Sequence, residues 1–258
     1  MNVLIEKNEQ ITTLTLNRPK ALNSLNDELV EEALDALEGL EKDADLRALV
    51  VAGAGKAFCA GGDLNYIKNN LTDAASAGHF ISRVGELVVR LHKLPCPTVA
   101  MVGGVAAGAG ANLALACDII YCSVSARFGQ SFTKVGLIPD AGGHYLLPRA
   151  IGLARAKELM FTGDLVNASS ALDLGLVNKV FDDDQLEAAV YALASTLAAG
   201  PPLALAAVKR NLNLSLECSL EQMLAMETAG QSLAILSEDG REGMAAFVEK
   251  RMPVFKGK

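Results

Sequence analysis

The 258-residue sequence predicts an α/β protein with a largely parallel sheet and a helical C-terminal region. Three observations carry that expectation. Strand-like and helix-like segments alternate up to about residue 184. Within that stretch RALVVAG (47–53), TVAMVGG (98–104) and CDIIYCS (117–123) are apolar almost throughout, as strands covered on both faces are. Beyond it, four helical patterns follow one another with no strand between them.

In chain order, residues 2–7 and 10–17 read as two strands, the second alternating more cleanly, with a turn at Lys7-Asn8-Glu9-Gln10. Asn17-Arg18-Pro19 and a cap region at Asn23–Asn26 lead into LNDELVEEALDALEGLEKD, which is apolar at helical spacing and acidic in its first turn. The strand at 47–53 ends in a glycine-rich loop. Residues 74–93 form a helix, 98–104 a buried strand, 108–117 a short helix and 117–123 a third buried strand. The C-terminal patterns are DDQLEAAVYALASTLAAG, PPLALAAVKRNLNLSLE, SLEQMLAMETAGQSLAILS and DGREGMAAFVEKRM. Amphipathic helices without a sheet of their own bury their apolar faces on the core or on another copy of the chain.

Composition narrows the function classes. An apolar fraction of 51% excludes a disordered chain. A net charge of -7 argues against nucleic acid as a partner, because neutralising phosphates needs a basic face. The five cysteines (Cys59, Cys96, Cys117, Cys122, Cys218) form no CxxC pair and lie mostly in apolar stretches; they read as reduced core thiols of a cytoplasmic protein. The N-terminus lacks the basic-then-apolar layout of a secretory signal. Residues 94–117 carry no charge and are long enough to span a bilayer, but hold two prolines, four glycines and seven alanines. Close-packed soluble backbone explains that composition better than a membrane span.

Two glycine-rich loops, each after a buried strand and before a helix, are candidate sites for anions and reactive groups: Gly53 to Leu64, and Gly103 to Gly110. Tight strand–helix packing demands the same small residues. The loops match neither a dinucleotide fingerprint nor a phosphate loop. Among the carboxylates, Asp63 and Asp140 stand at strand–loop junctions amid apolar sequence, and each also reads as a helix N-cap. Asp118, at the start of a strand, reads as a partnered structural residue. His79, His92 and His144 are too scattered for a metal site, and no GxSxG elbow hosts a serine nucleophile. Lys209-Arg210 and Lys250-Arg251 read as parts of solvated helix faces.

Five segments in order, NRPKALNSLN (17–26), GKAFCAGGDL (55–64), VGGVAAGAGANLALACDI (102–119), FGQSFTKVGLIPDAGG (128–143) and AAFVEKRMPVF (245–255), resemble the enoyl-CoA hydratase/isomerase (crotonase) superfamily. The resemblance implies a crotonase-like spiral of ββα turns over residues 1–195 and a helical oligomerisation region over 196–258, assembling as a homotrimer or a dimer of trimers. It implies an acyl-CoA thioester substrate and no separate cofactor, coenzyme A being part of the substrate. The oxyanion-hole amides of the family match Gly62 and Ala109. Its substrate contacts match Lys20, Ala21, Leu22, Ala60, Asp63 and Leu64, with Phe247 and Lys250 toward the nucleotide end. In such an enzyme Lys209-Arg210 and Lys250-Arg251 could instead meet phosphates.

Departures from the family pattern bear on the reaction. Hydratases of the superfamily use two glutamates; the matching positions are Asn112 and Phe132, which the resemblance leaves as substrate contacts, since neither exchanges a proton at neutral pH. Asp140 remains, as in the single-aspartate enoyl-CoA isomerases, including the ring-epoxide (oxepin-forming) type of phenylacetate degradation. The resemblance thus implies an isomerase in which Asp140 removes a proton at C2 and returns it at C4. The alternatives are a hydratase with a reduced site, an aryl-CoA dehalogenase with Asp140 as nucleophile, and a non-catalytic acyl-CoA-binding relative. The dehalogenase is disfavoured by the absence of tryptophan. Acyl-chain selectivity is expected from residues around 66–90 and 128–148.

Overall fold

The computed structural model describes residues 1–258. A hairpin opens the chain, β1 (Val3–Asn8) pairing antiparallel with β2 (Ile11–Leu16). Helix α1 (Asp27–Glu41) follows; the Asn26 side chain caps it by accepting from the Leu29 N–H at 3.1 Å, and Asp27 and Glu28 occupy its positive end. The chain then repeats one pattern. A long strand joins the main sheet, a three-residue strand joins a second sheet, and helix returns the chain. The first repeat is β3 (Ala48–Gly53), β4 (Ala57–Cys59), α2 (Leu64–Asn70) and α3 (Ala74–Lys93); the second is β5 (Thr98–Val102), β6 (Val105–Ala107) and α4 (Ala109–Leu115). The third is β7 (Ile119–Ser123), β8 (Arg127–Gly129), α5 (Gly143–Ile151) and α6 (Leu153–Thr162). After β9 (Leu165–Asn167), α7 (Ala168–Asp173) and β10 (Lys179–Phe181), the chain is helical: α8 (Leu186–Ala198), α9 (Pro202–Leu214), α10 (Leu220–Leu236) and α11 (Glu238–Glu249).

The main sheet has the order β1-β2-β3-β5-β7-β10 and is parallel from β2 onward; the second has the order β4-β6-β8-β9. This is the expected α/β spiral of ββα turns. The all-apolar strands are explained by two cores, one on each face. Ala48, Val50, Val99 and Tyr121 pack against Leu186, Val190 and Ala194 of α8, whereas Leu49, Val51, Ala100 and Val102 belong to the larger core with α1 and α3. Alternate residues of a strand point to opposite faces, so both sets must be apolar. Helix α8 is thus part of the α/β core and runs to Ala198, and the chain leaves that core at Gly200-Pro201.

The uncharged segment 94–117 resolves into two strands and a short helix, and no single helix is long and apolar enough to cross a membrane. Cys59, Cys96, Cys117 and Cys122 are buried free thiols and Cys218 is half-buried. Lys209 departs from the expected solvated face. Its Nζ is buried, 2.8 Å from Asp118 Oδ2 and 3.1 Å from the Cys96 carbonyl, which ties α9 to the main sheet. Asp118 also accepts from the Thr98 N–H and hydroxyl at 2.7 and 2.9 Å, the structural role expected of it. Arg251 is likewise engaged, pairing with Glu242 and Glu249.

Candidate active site

The loop after β4 is stitched to the segment before α1. Ala60 N–H donates to the Leu22 carbonyl at 3.0 Å, Leu25 N–H to the Gly61 carbonyl at 2.8 Å, and Asp63 N–H to the Leu25 carbonyl at 2.8 Å. That ladder leaves the Gly62 N–H without a backbone acceptor. Ala109 is the first residue of α4, so its N–H has no partner within the helix either. The two loops touch. Gly61 has φ +97°, and a Cβ there would stand 2.8 Å from the Ala107 carbonyl and 3.5 Å from the Ala109 nitrogen. Glycine at 61 therefore lets the two amide-bearing loops close together.

Both amides border one cavity of about 670 Å³. Its lining includes Lys20, Ala21, Ala60, Asp63 and Leu64, together with Phe132 and Asp140. Ile67, Leu71, Phe80, Val84, Val135 and Leu137 make much of its remaining wall apolar. These residues come from α2, α3 and the segment after β8, within the stretches expected to shape acyl selectivity. A larger cavity of about 810 Å³ lies between the end of α3 and helices α9 and α10. It has no pair of free amides, and Lys209 within it is already paired. The smaller cavity is the candidate active site.

The two junction carboxylates differ. Asp63 is a true N-cap: its Oδ1 accepts from the Asn65 and Tyr66 amides, each at 3.1 Å, and its Oδ2 from Arg18 at 3.0 Å. Burial pushes its carboxyl up, but those donors outweigh burial and hold it below the ordinary range. Asp140 is not a cap. Gly142 occupies the N-cap position of α5, and the Asp140 Oδ1 is buried without a hydrogen-bond partner. Burial raises its pKa from 3.8 to about 6, and no charged neighbour contributes. Its buried surroundings, with no charged partner, therefore set the carboxyl and raise its pKa.

Four of the expected contacts lie outside the cavity lining. Leu22 and Phe247 are exposed to solvent, Phe247 at 86%. Lys250 ends α11 on an exposed surface. Asn112 is fully buried behind the wall, donating from Nδ2 to the Asp140 carbonyl at 2.8 Å and accepting from Gln130 Nε2 at 2.7 Å. Gln130 escaped the sequence reading as a site residue. Its signal was a polar side chain at the end of a buried strand.

Fold and site together define an α/β spiral with one cavity bordered by two glycine-rich loops, and comparisons with known proteins place it in a family. The family model described as enoyl-CoA hydratase/isomerase matches residues 6–258, and the chain belongs to that family. It is 43% identical over 258 residues to the 1,2-epoxyphenylacetyl-CoA isomerase of Escherichia coli (strain K12), covering 99% of this chain and 98% of that one. It is 35% identical to the short-chain-enoyl-CoA hydratase of Clostridium acetobutylicum, covering 97% of this chain and 95% of the other. The crystal structure of an enoyl-CoA hydratase from Bacillus anthracis superimposes over the whole of both chains with a TM-score of 0.96 at 34% identity. The crotonase fold expected from the sequence is therefore the fold of this chain.

Proposed function

We propose that this protein is an enoyl-CoA isomerase in which Asp140 carries one proton from C2 to C4 of the acyl chain. The observation that carries the reading is Asp140, which lines the cavity and has a buried, unpartnered carboxylate oxygen and a pKa of about 6. A base for this step must be ionised near neutral pH yet basic enough to accept a proton, and a carboxylate raised by burial meets both needs. Asp63 cannot serve, because Arg18 and the first turn of α2 already occupy it.

The thioester oxygen sits against the Gly62 and Ala109 amides. As Asp140 takes the C2 proton, the C2–H electron pair delocalises over C2–C4 and that oxygen as a dienolate. The two N–H groups stabilise the developing charge, each worth about 3–4 kcal/mol in comparable sites. Asp140 then returns the proton at C4, leaving the double bond at C2–C3. One carboxylate suffices. Hydration needs a second group to hold and split water, and Phe132 and the buried Asn112 offer none. The reading calls for no cofactor beyond the coenzyme A of the substrate and places the protein in the cytoplasm, supported by its buried free thiols.

A homotrimer, or a pair of trimers, belongs to the same reading. It is supported by apolar side chains that the single chain leaves in solvent on its C-terminal helices, among them Leu212, Leu220, Leu233 and Val248. Phe247 and Lys250, exposed at the end of α11 and outside the cavity lining, would act only in such an assembly.

Rates of 3-enoyl-CoA isomerisation and crotonyl-CoA hydration, compared on one preparation, test the assignment. Isomerisation should exceed hydration by about 10²-fold or more, the value of a missing acid–base group. Hydration as fast as isomerisation would make the hydratase names among its relatives the better description.

A further inference from the structure

We infer that Asn112 is a positioning residue for Asp140, its side-chain amide holding the strained turn that aims the carboxyl into the cavity. Residues 140–143 form a tight turn closed by the Gly143 N–H donating to the Asp140 carbonyl at 2.9 Å. Both central residues are left-handed, Ala141 at φ +48° and Gly142 at φ +74°. This is the primed type of turn, which glycine accepts and an alanine Cβ opposes. Such a conformation persists only where its surroundings enforce it.

Asn112 supplies the enforcement at two points. Its Nδ2 is a second donor to the Asp140 carbonyl, at 2.8 Å. Its amide also fills the space beneath Gly143, where a Cβ would come within 2.5 Å of Nδ2. Gln130 fixes the amide from behind, its Nε2 donating to Asn112 Oδ1 at 2.7 Å. Gln130 keeps its own Oε1 buried without a partner, which is costly and offers no stability reason for glutamine there. The strut also has a force to resist. A buried carboxylate oxygen without a partner gains free energy by turning toward water, and that turning would take Asp140 off the substrate.

Placement in the fold adds to this. Asn112 lies one helical turn beyond Ala109 on α4, so one short helix carries both an oxyanion amide and the strut for the base. Their relative geometry is then set by a single rigid element. The other charged side chains lining the cavity are Lys20 and Asp63, and Asp63 is paired with Arg18.

This inference rests on Asp140 being the base, so Asp140→Asn is measured beside the Asn112 and Gln130 variants. Asn112→Ala should lower kcat for 3-enoyl-CoA isomerisation about tenfold or more, with KM within about twofold. The acidic limb of its kcat–pH profile should move from near 6 toward the ordinary 3.8, as the released carboxyl gains water. Adding Ala141→Gly to Asn112→Ala should recover part of kcat, because the turn then needs less holding. Gln130→Met removes one unpaired acceptor and strands another, so it should fold with near wild-type stability and shift kcat and the limb in the same direction, by less. It decides the matter if Asn112→Ala fails to fold.

The positioning role is overturned if kcat and limb stay at wild-type values in the folded variants, or if kcat falls with the limb unmoved, while Asp140→Asn is inactive. An active Asp140→Asn protein would instead remove the base assignment itself.

Discussion

Gly110 rests directly on the carbonyl of Cys59: a Cβ at residue 110 would stand 2.1 Å from that oxygen and 2.7 Å from the Cys59 Cβ. The contact seats α4 on β4, and with them the loops that present the Ala109 and Gly62 amides. Backbone on both sides leaves nothing flexible to give way.

Gly110→Ala therefore has to push α4 off β4. The expected cost is at least the ~1–3 kcal/mol of an overpacked core, read by urea unfolding. Because the displaced element carries an oxyanion amide, kcat should fall even where the protein is still fully folded.

The acidic limb of the wild-type rate profile follows from the buried carboxyl. Asp140 acts as base only when ionised, so kcat/KM for isomerisation should fall tenfold per pH unit below about 6. A limb near 4 would mean that the carboxyl is solvated in the working enzyme.

The same burial has a stability consequence of the opposite sign from that of a paired carboxylate. The folded pKa of about 6 lies above the unfolded 3.8. The stability Asp140 contributes is therefore complete below pH 3.8 and lost as pH rises through 6. Above that the ionised side chain is a burden, and Asp140→Asn should raise stability at pH 8 by about 1–2 kcal/mol, allowing for its partial exposure. At pH 4 the gain should vanish. Denaturant midpoints at the two pH values check both statements.

Much of the fold was legible, because its signals are long and periodic. The helix expected at 74–93 is α3, and the three apolar strands are β3, β5 and β7. The second sheet was not visible, since its strands have three residues each and show no period. Helix α5 was implied by the cap reading of Asp140 but had no legible range, because Pro148 breaks its pattern in the last turn. At the site, the glycine loops and the two junction aspartates stood out, but sequence could not separate a cap from a base. Asp63 and Asp140 both precede helices, and only the turn through Ala141 and Gly142 carries Asp140 away from the cap position. Asn112 was assigned to substrate by its family position, whereas its amide is spent on the main chain of residue 140. Lys209 read as solvated because its partner Asp118 is remote in sequence.

That Asp118–Lys209 pair is a hinge-pin for the helical region. Lys209→Met removes the buried cation and leaves Asp118 with only its Thr98 donors. Because the Asp118 side chain is 23% exposed, the loss should be about 1–3 kcal/mol, less than for a fully buried pair. Limited proteolysis should then cut near Gly200-Pro201, ahead of α9, before the core is attacked. Unchanged stability and cleavage pattern would show that apolar packing alone holds the arm.

Replacing the Asp140 carboxylate with an amide of the same shape tests proton transfer most directly. Asp140→Asn keeps the side-chain volume and the amides of Gly62 and Ala109, and removes only the group that can take a proton. Isomerisation of a 3-enoyl-CoA should drop by at least ~10²-fold, while the dissociation constant for the CoA thioester, measured by calorimetry, stays within about threefold. Turnover at the wild-type rate by the folded variant would contradict base catalysis by Asp140.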